Sequence, residues 1–176
     1  MASSTENVKL GVCKIYYNSV DLGYTKGGVE VEVVTDTHKV TVDQFGESEI
    51  NESITKRSVM VRAPLAETTL ENLVAIMPGA TLVVDGVDAN VKRVDVTNAV
   101  GTDLLSIAQE LKLHPKALAD ADASEDFIIP LAATAGAINF AYKLNEERVY
   151  NVEFTGYPDS SNSDLLFQYG DPDATP

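Results

Sequence analysis

The sequence predicts a mainly β domain, a β-sandwich or split barrel flanked by one α-helix at about residues 68–77. Three observations carry that prediction. Valines alternate with polar residues at Val29–Val33, Val40–Val42 and Val59–Ala63, the period-2 pattern of strands with one wet face. Turn signals such as Gly27-Gly28, Asp85-Gly86 and Asn145-Glu146-Glu147 break the chain at short intervals. One stretch alone carries a complete set of helix signals, and it is short.

Residues 1–8 are small and polar and read as a flexible arm. Lys9–Tyr17 (KLGVCKIYY) is rich in strand formers. After the turn material of Asp21–Gly28, Val29, Val31 and Val33 alternate with Glu30 and Glu32, and Val40 and Val42 alternate with Lys39, Thr41 and Asp43. Thr35–His38 is expected to connect the two runs as a hairpin. Residues 44–57 (QFGESEINESITKR) have no period and read as a long loop, acidic at its start and basic at its end. Loops of that length in a compact domain are uncommon and often functional. Strand patterning returns at Ser58–Ala63.

The helix has a start, a face and a stop. Thr68 and Glu71 fit a T-x-x-E capping box. Leu70, Leu73, Val74 and Met77 form one apolar stripe, and Pro78-Gly79 ends it. Beyond it, Ala80–Val84 and Ala89–Val96 read as strands around Asp85-Gly86. Residues 104–118 mix helix and strand patterns, with strand favoured in the second half, and 120–126 is an acidic loop. Phe127–Pro130 reads as a short strand, and Phe140–Leu144 with Arg148–Tyr157 as a hairpin. The tail from Pro158 to Pro176 is polar and turn-rich, with an apolar patch at Leu165–Tyr169.

Length and composition bound the function. A chain of 176 residues fits a single domain, 1–176, and 44% apolar residues can build a core without staples. No apolar run approaches a membrane span, and Met1–Asn7 lacks the features of a signal peptide. Cys13 is the only cysteine, so an intrachain disulfide and a cysteine zinc cluster are both excluded. These features suit manufacture in a reducing cytoplasm. A net charge of −14 makes the surface a poor binder of nucleic acid.

No catalytic, cofactor-binding or metal-binding residue is expected, and the chain reads as a non-enzyme. The nucleotide, zinc-protease and serine-hydrolase motifs are missing. His38 is expected exposed in a turn, and His114 structural or exposed in an extended stretch. Cys13 sits on an apolar strand as a small hydrophobe. Asp120, Asp122 and Asp126 lack the glycine and glutamate offsets of an EF-hand and read as a solvated loop. A carboxylate pair for glycoside cleavage is not excluded by counting, but tryptophan platforms are absent.

The order of several phrases carries more than any motif. An N-terminal strand and a Gly-Gly turn lead to a hairpin and then to Val-Asp-Gln-Phe-Gly (42–46). APLAE (63–67) feeds TLENLVAIMPGA (69–80), and SEDFIIPLAA (124–133) and FAYKLNEERVYNVEFTGYPD (140–159) follow. Over about residues 9–159 this resembles the major tail tube proteins of long-tailed, siphovirus-like bacteriophages, a family related to the tube of type VI secretion systems. The resemblance implies a self-assembling virion protein: six subunits form a ring, their inner strands join into one β-barrel around a lumen, and rings stack into the conduit that phage DNA traverses. It further implies tape measure, tail terminator and baseplate or tail-tip proteins as partners, with no specific DNA binding and no membrane.

On that reading the 44–57 loop supplies the inter-subunit candidates Gln44, Phe45, Glu47, Glu49, Ile50, Glu52, Ile54, Lys56 and Arg57, although an ordinary solvated loop has the same composition. Glu30 and Glu32 share a strand face opposite Val29, Val31 and Val33 and are the candidates to line the lumen, although an outer solvent face gives the same pattern. Two other readings stay open: a different virion ring component (tail terminator, distal tail or head decoration protein), and a sandwich module that binds, for instance, carbohydrate or a cell surface.

Overall fold

A computed structural model describes residues 8–174, and it is mainly β with antiparallel sheets and one small helix. The first hairpin is β1 (Cys13–Tyr17) and β2 (Val20–Asp21). Two long strands follow, β3 (Glu30–Thr41) and β4 (Glu49–Leu65). Then come α1 (Leu70–Ile76) and a separate two-stranded sheet of β5 (Ala80–Val84) and β6 (Lys92–Val96). β7 (Gln109–Pro115), β8 (Phe127–Ala133), β9 (Tyr150–Tyr157) and β10 (Gln168–Tyr169) complete the chain.

The large sheet runs β2-β1-β7-β8-β9-β4-β3, with β10 beside β8. It curls on itself. Tyr17 of β1 and Phe154 of β9 lie three strands apart in that order, about 14 Å in a flat sheet, yet their ring centroids are 5.0 Å apart. Backbone bonds complete the curl. The Leu22 N–H donates to the Ile15 carbonyl (2.9 Å), and Lys26 N–H donates to Pro64 O (3.0 Å). Segment 22–26 thus bridges the first strand and β4, as a split barrel requires.

The inward residues of each strand are the alternate ones. Ile15 and Tyr17, Val59, Val61, Ala63 and Leu65, Leu111 and Leu113, Ile129, and Val152 and Phe154 form one buried cluster. Gly156 sits where strands approach closely: a Cβ there would meet Val59 Cγ1 at 2.4 Å and Ile129 Cγ2 at 2.9 Å. Helix α1 closes one side, with Ile76 fully buried and Asn72 donating its side-chain N–H groups to Leu22 O and Glu67 O (both 2.9 Å).

Several expectations are corrected. The chain does not turn at 35–38. β3 continues through these residues, with a bulge in its pairing to β4 between Asp36 and Thr37, because Thr35 and Thr37 are β-branched and no glycine or proline interrupts them. His38 is therefore mid-strand and exposed. The turn lies further on, in a 3-10 segment at Asp43–Phe45 followed by Gly46 at φ 61. Residues 44–57 are accordingly not one long loop, since from Glu49 they belong to β4. They lack an apolar period because both faces are wet, and period-2 patterning reports one-sided burial rather than extension itself.

The helix starts after Thr69, whose hydroxyl accepts the Asn72 N–H at 3.1 Å, and not after Thr68. Thr68 Oγ1 instead accepts two bonds from Arg148, at 2.7 and 3.0 Å. Phe140–Leu144 is not a strand. Its aromatics serve Arg148, whose guanidinium lies 5.9 Å from the Phe140 ring and 5.5 Å from the Tyr142 ring. β9 pairs with β4 and β8 rather than within a local hairpin. Strand boundaries also shift: the first strand begins at Cys13, the sixth at Lys92, and the eighth extends to Ala133.

The tail does not run free over its apolar patch. β10 continues along β8, and Phe167 stacks on Phe127 at 5.1 Å. Of the expected N-terminal arm, residues 1–7 lie outside the described residues, as do 175–176 of the tail.

Candidate assembly surface

β4 is longer than the sheet that holds it. β9 pairs with it only from Val59 to Leu65, and before Val59 its partner is β3 alone. Residues 34–41 and 49–58 therefore form a two-stranded arm. At about 3.3 Å per residue the arm reaches roughly 25 Å past the body. No residue from Glu30 to Ser58 is buried. Two-stranded ribbons of this kind are marginal in water by themselves.

The arm leaves two rows of backbone groups without partners among the described residues. One is the outer edge of β3, the last strand in the order, and the other is the outer edge of β4 from Glu49 to Ser58. Edges like these are templates for pairing with another chain.

The two faces of the hairpin differ. On one face Val31 lies opposite Val61 and Val33 opposite Val59. Val61 and Val59 are fully buried, whereas Val31 and Val33 are 41% and 42% exposed. The core face thus runs past its own cover. The register carries it on to Arg57 opposite Thr35 and Ile54 opposite Thr37, with Ile54 exposed. On the other face Glu30 lies opposite Arg62 and Glu32 opposite Met60. The Arg62 guanidinium donates to Glu32 (2.8 Å) and to Glu153 (3.2 Å), so it is clamped between two carboxylates.

Charges along the arm are unevenly committed. Lys39 pairs with Glu49 at 2.6 Å, and Thr37 donates to Glu52 at 2.6 Å. Among the described residues, Lys56 and Arg57 have no carboxylate within ion-pair distance, and neither Asp43 nor Glu47 has a cation. Arg57 Nε donates to Thr35 Oγ1 at 3.2 Å. The arm is therefore acidic at its tip and basic at its root.

The residues singled out from the sequence converge on this one element. Gln44 and Phe45 lie in the turn and Glu47 just beyond it, while Glu49, Ile50, Glu52, Ile54, Lys56 and Arg57 lie along β4. Glu30 and Glu32 lie on β3 of the same hairpin, nearer the body. Sequence reasoning missed Arg62 and Glu153, which complete the charged face. Nor does it show that the face of Val31 and Val33, opposite Glu30 and Glu32, is uncovered. Their only distinguishing signal is the glutamate on either side, which is equally present in a half-buried strand.

Away from the arm, His114 and Cys13 serve the fold. His114 is 2% exposed, and its Nδ1 donates to Asp126 Oδ1 at 2.6 Å. Its Nε2 is buried without a hydrogen-bond partner among the described residues. Burial pushes the Cys13 thiol up, which keeps it protonated and unreactive. Loop 116–126 is fastened outside β1 and β7 by this His114–Asp126 pair and by the Lys14–Asp120 ion pair.

Two results are expected from that fastening. Asp126→Ala strands a buried imidazole and should lower the unfolding free energy by about 2–4 kcal/mol, read from urea denaturation. Replacing both residues by leucine should recover most of the loss. The second result concerns acid. The hydrogen bond from Lys14 holds the Asp120 carboxyl below its ordinary 3.8, and Lys143 and Lys26 likewise lower Glu146 and Glu147. A carboxyl depressed on folding adds stability above its unfolded value and loses it as pH falls through the folded one. The urea midpoint should thus stay flat above about pH 5 and fall below about pH 4. A midpoint that rises on acidification contradicts these pairings.

No protein-family model matches the chain, and no curated protein matches it. Among solved structures, the chain is similar to a chain from the virion of a native gene transfer agent particle. The two share 11% sequence identity at a TM-score of 0.44, over 97% of this chain and 100% of that one.

Proposed function

We propose that the chain is a non-enzymatic virion protein, the tail tube subunit, which forms hexameric rings that stack into a conduit for phage DNA. The observation that carries this reading is the β3–β4 arm, with its two unpaired edges and its uncovered apolar row. The outer edge of β3 in one copy can take the outer edge of β4 in the next, by ordinary strand addition. Such a head-to-tail contact uses different surfaces on the two copies, and it closes into a ring when its rotation divides a full turn. The arms then form one continuous barrel with no edge left open.

In that barrel the apolar row faces the bodies of the subunits, and the face of Glu30, Glu32 and Glu153 lines the bore. Arg62 is masked by two carboxylates, and Lys56, opposite Asp36 on the same face, is outnumbered by Glu30, Glu32, Asp36 and Glu153, so the face stays net negative. With a screening length of about 8 Å at physiological salt, this wall repels a nucleic acid only when it approaches, and DNA slides past without adhering. Tape measure, tail terminator and baseplate or tail-tip proteins are the partners that such a tube meets at its bore and ends.

Sedimentation velocity over a range of concentrations tests the reading. The expected record shows monomer at low concentration, a six-subunit species, and heavier species in multiples of it. A ring that never stacks fits a terminator or decoration protein instead. A monomer at every concentration contradicts both.

A further inference from the structure

A second exposed apolar surface lies on another hairpin, β5–β6. None of the strand residues of β5 or β6 is buried. At its end Val84, Val87 and Val91 are 45%, 99% and 59% exposed. That end is rigid. Asp85 Oδ1 accepts the N–H groups of Val87 (2.8 Å) and Asp88 (2.9 Å), and Asp85 N–H donates to Val91 O at 2.9 Å. The Asp88 and Val87 N–H groups also hold the Asp85 carboxyl below its ordinary range, so it stays charged. Neither Asp85 nor Asp88 has a cation within ion-pair distance among the described residues, because Lys92 pairs with Glu71 and Arg93 with Asp95.

The arm root is the complement of this tip in every respect. It presents the uncovered row Val31, Val33 and Ile54 and, on the same face, Arg57 without a carboxylate partner. One surface has three exposed valines and two carboxylates that accept hydrogen bonds only from their own turn, and the other has three exposed aliphatic side chains and a guanidinium that donates to Thr35. Among the described residues neither surface is covered and none of these charges has an ion-pair partner. We infer that the β5–β6 tip of one copy seats on the Val31–Val33–Ile54 row of the next copy, with Asp85 and Asp88 beside Arg57. This contact rests on the ring assembly proposed above and names the surface that covers the arm's apolar face. It also explains why a turn with a fully exposed valine is so firmly held: a tip already in its bound shape loses little entropy on docking.

Cross-linking tests it in a Cys13→Ser background, which leaves no native thiol. Val87→Cys and Ile54→Cys both alter exposed side chains and should fold. Mixed in equal amounts and mildly oxidised, the two variants should give a covalent dimer at least about fivefold above either variant alone, since a disulfide requires Cα atoms within about 7 Å. Arg57→Glu should raise the concentration needed for assembly about tenfold. If the Cys13→Ser protein forms rings but the mixture yields no excess dimer, or if Arg57→Glu assembles as readily as the parent, this contact is wrong and the ring reading survives. If the Cys13→Ser protein stays monomeric at every concentration, the ring reading fails and the contact falls with it.

Discussion

Replacing residues 38–53 by an Asn-Gly turn between Thr37 and Ile54 should yield a stable, soluble monomer that does not assemble. Thr37 and Ile54 face each other across the arm, so a two-residue hairpin turn joins them without altering the remaining register. The excised residues include none that is buried, and the core cluster draws nothing from them. The thermal midpoint should therefore move by no more than a few degrees. Assembly, in contrast, loses half of the free β4 edge (49–53 of 49–58) and the outer third of the β3 edge (38–41 of 30–41). The shortened protein should stay monomeric at concentrations about a hundredfold above the threshold of the parent, a loss of at least ~2.8 kcal/mol per contact. Size-exclusion chromatography beside circular dichroism reads both quantities. A shortened protein that still assembles would show that the arm is a solvated ornament.

Phe154→Ala should have the opposite signature, a loss of fold. Phe154 is fully buried at the middle of the curled sheet, with the Tyr17 ring 5.0 Å away. It meets β1 across the curl, three strands away in the sheet order. Truncation removes its transfer free energy and leaves a cavity walled by β-strands that cannot collapse independently. The expected cost is about 3–5 kcal/mol, a large share of the stability of a domain of this size. Chemical denaturation should show the midpoint falling with little change in slope. A loss under 1 kcal/mol would mean that the two halves of the curl are not coupled through this ring.

These two results divide the molecule as its sequence divides it. Where one face is buried, the chain announces its structure: the Val59–Ala63 alternation reads as strand, and the mixed 104–118 stretch favours strand in its second half, because one side of each strand needs apolar residues. The helix was legible from Leu70, Leu73 and Pro78-Gly79, although the capping threonine was misassigned by one position. Thr68 and Thr69 are equivalent in a pattern, and only the distant Arg148 distinguishes them. Glu49–Arg57 was not legible as strand. With water on both faces it has no period, and its extension is imposed by pairing with β3. Phe140, Tyr142 and Leu144 misled in the reverse sense. Their alternation is that of a strand, but two of those side chains pack around a guanidinium. The Asp126–His114 pair was equally hidden, since nothing local to either residue reports its burial.

The candidate site shows the same division. The sequence placed Phe45, Glu49, Ile54, Lys56 and Arg57 together as an unusual polar stretch, and the structure gathers them on one projecting arm. It could not tell that Val31 and Val33 are uncovered. Their alternation is the ordinary signature of a core strand, and the missing cover belongs, on the proposed reading, to another molecule.

Electron microscopy of the concentrated protein in negative stain tests the central claim most directly. The account predicts rings and stacked tubes of uniform bore, with the arms at the inner wall. Fields of separate, small particles at millimolar concentration, with no ring and no filament, would contradict it.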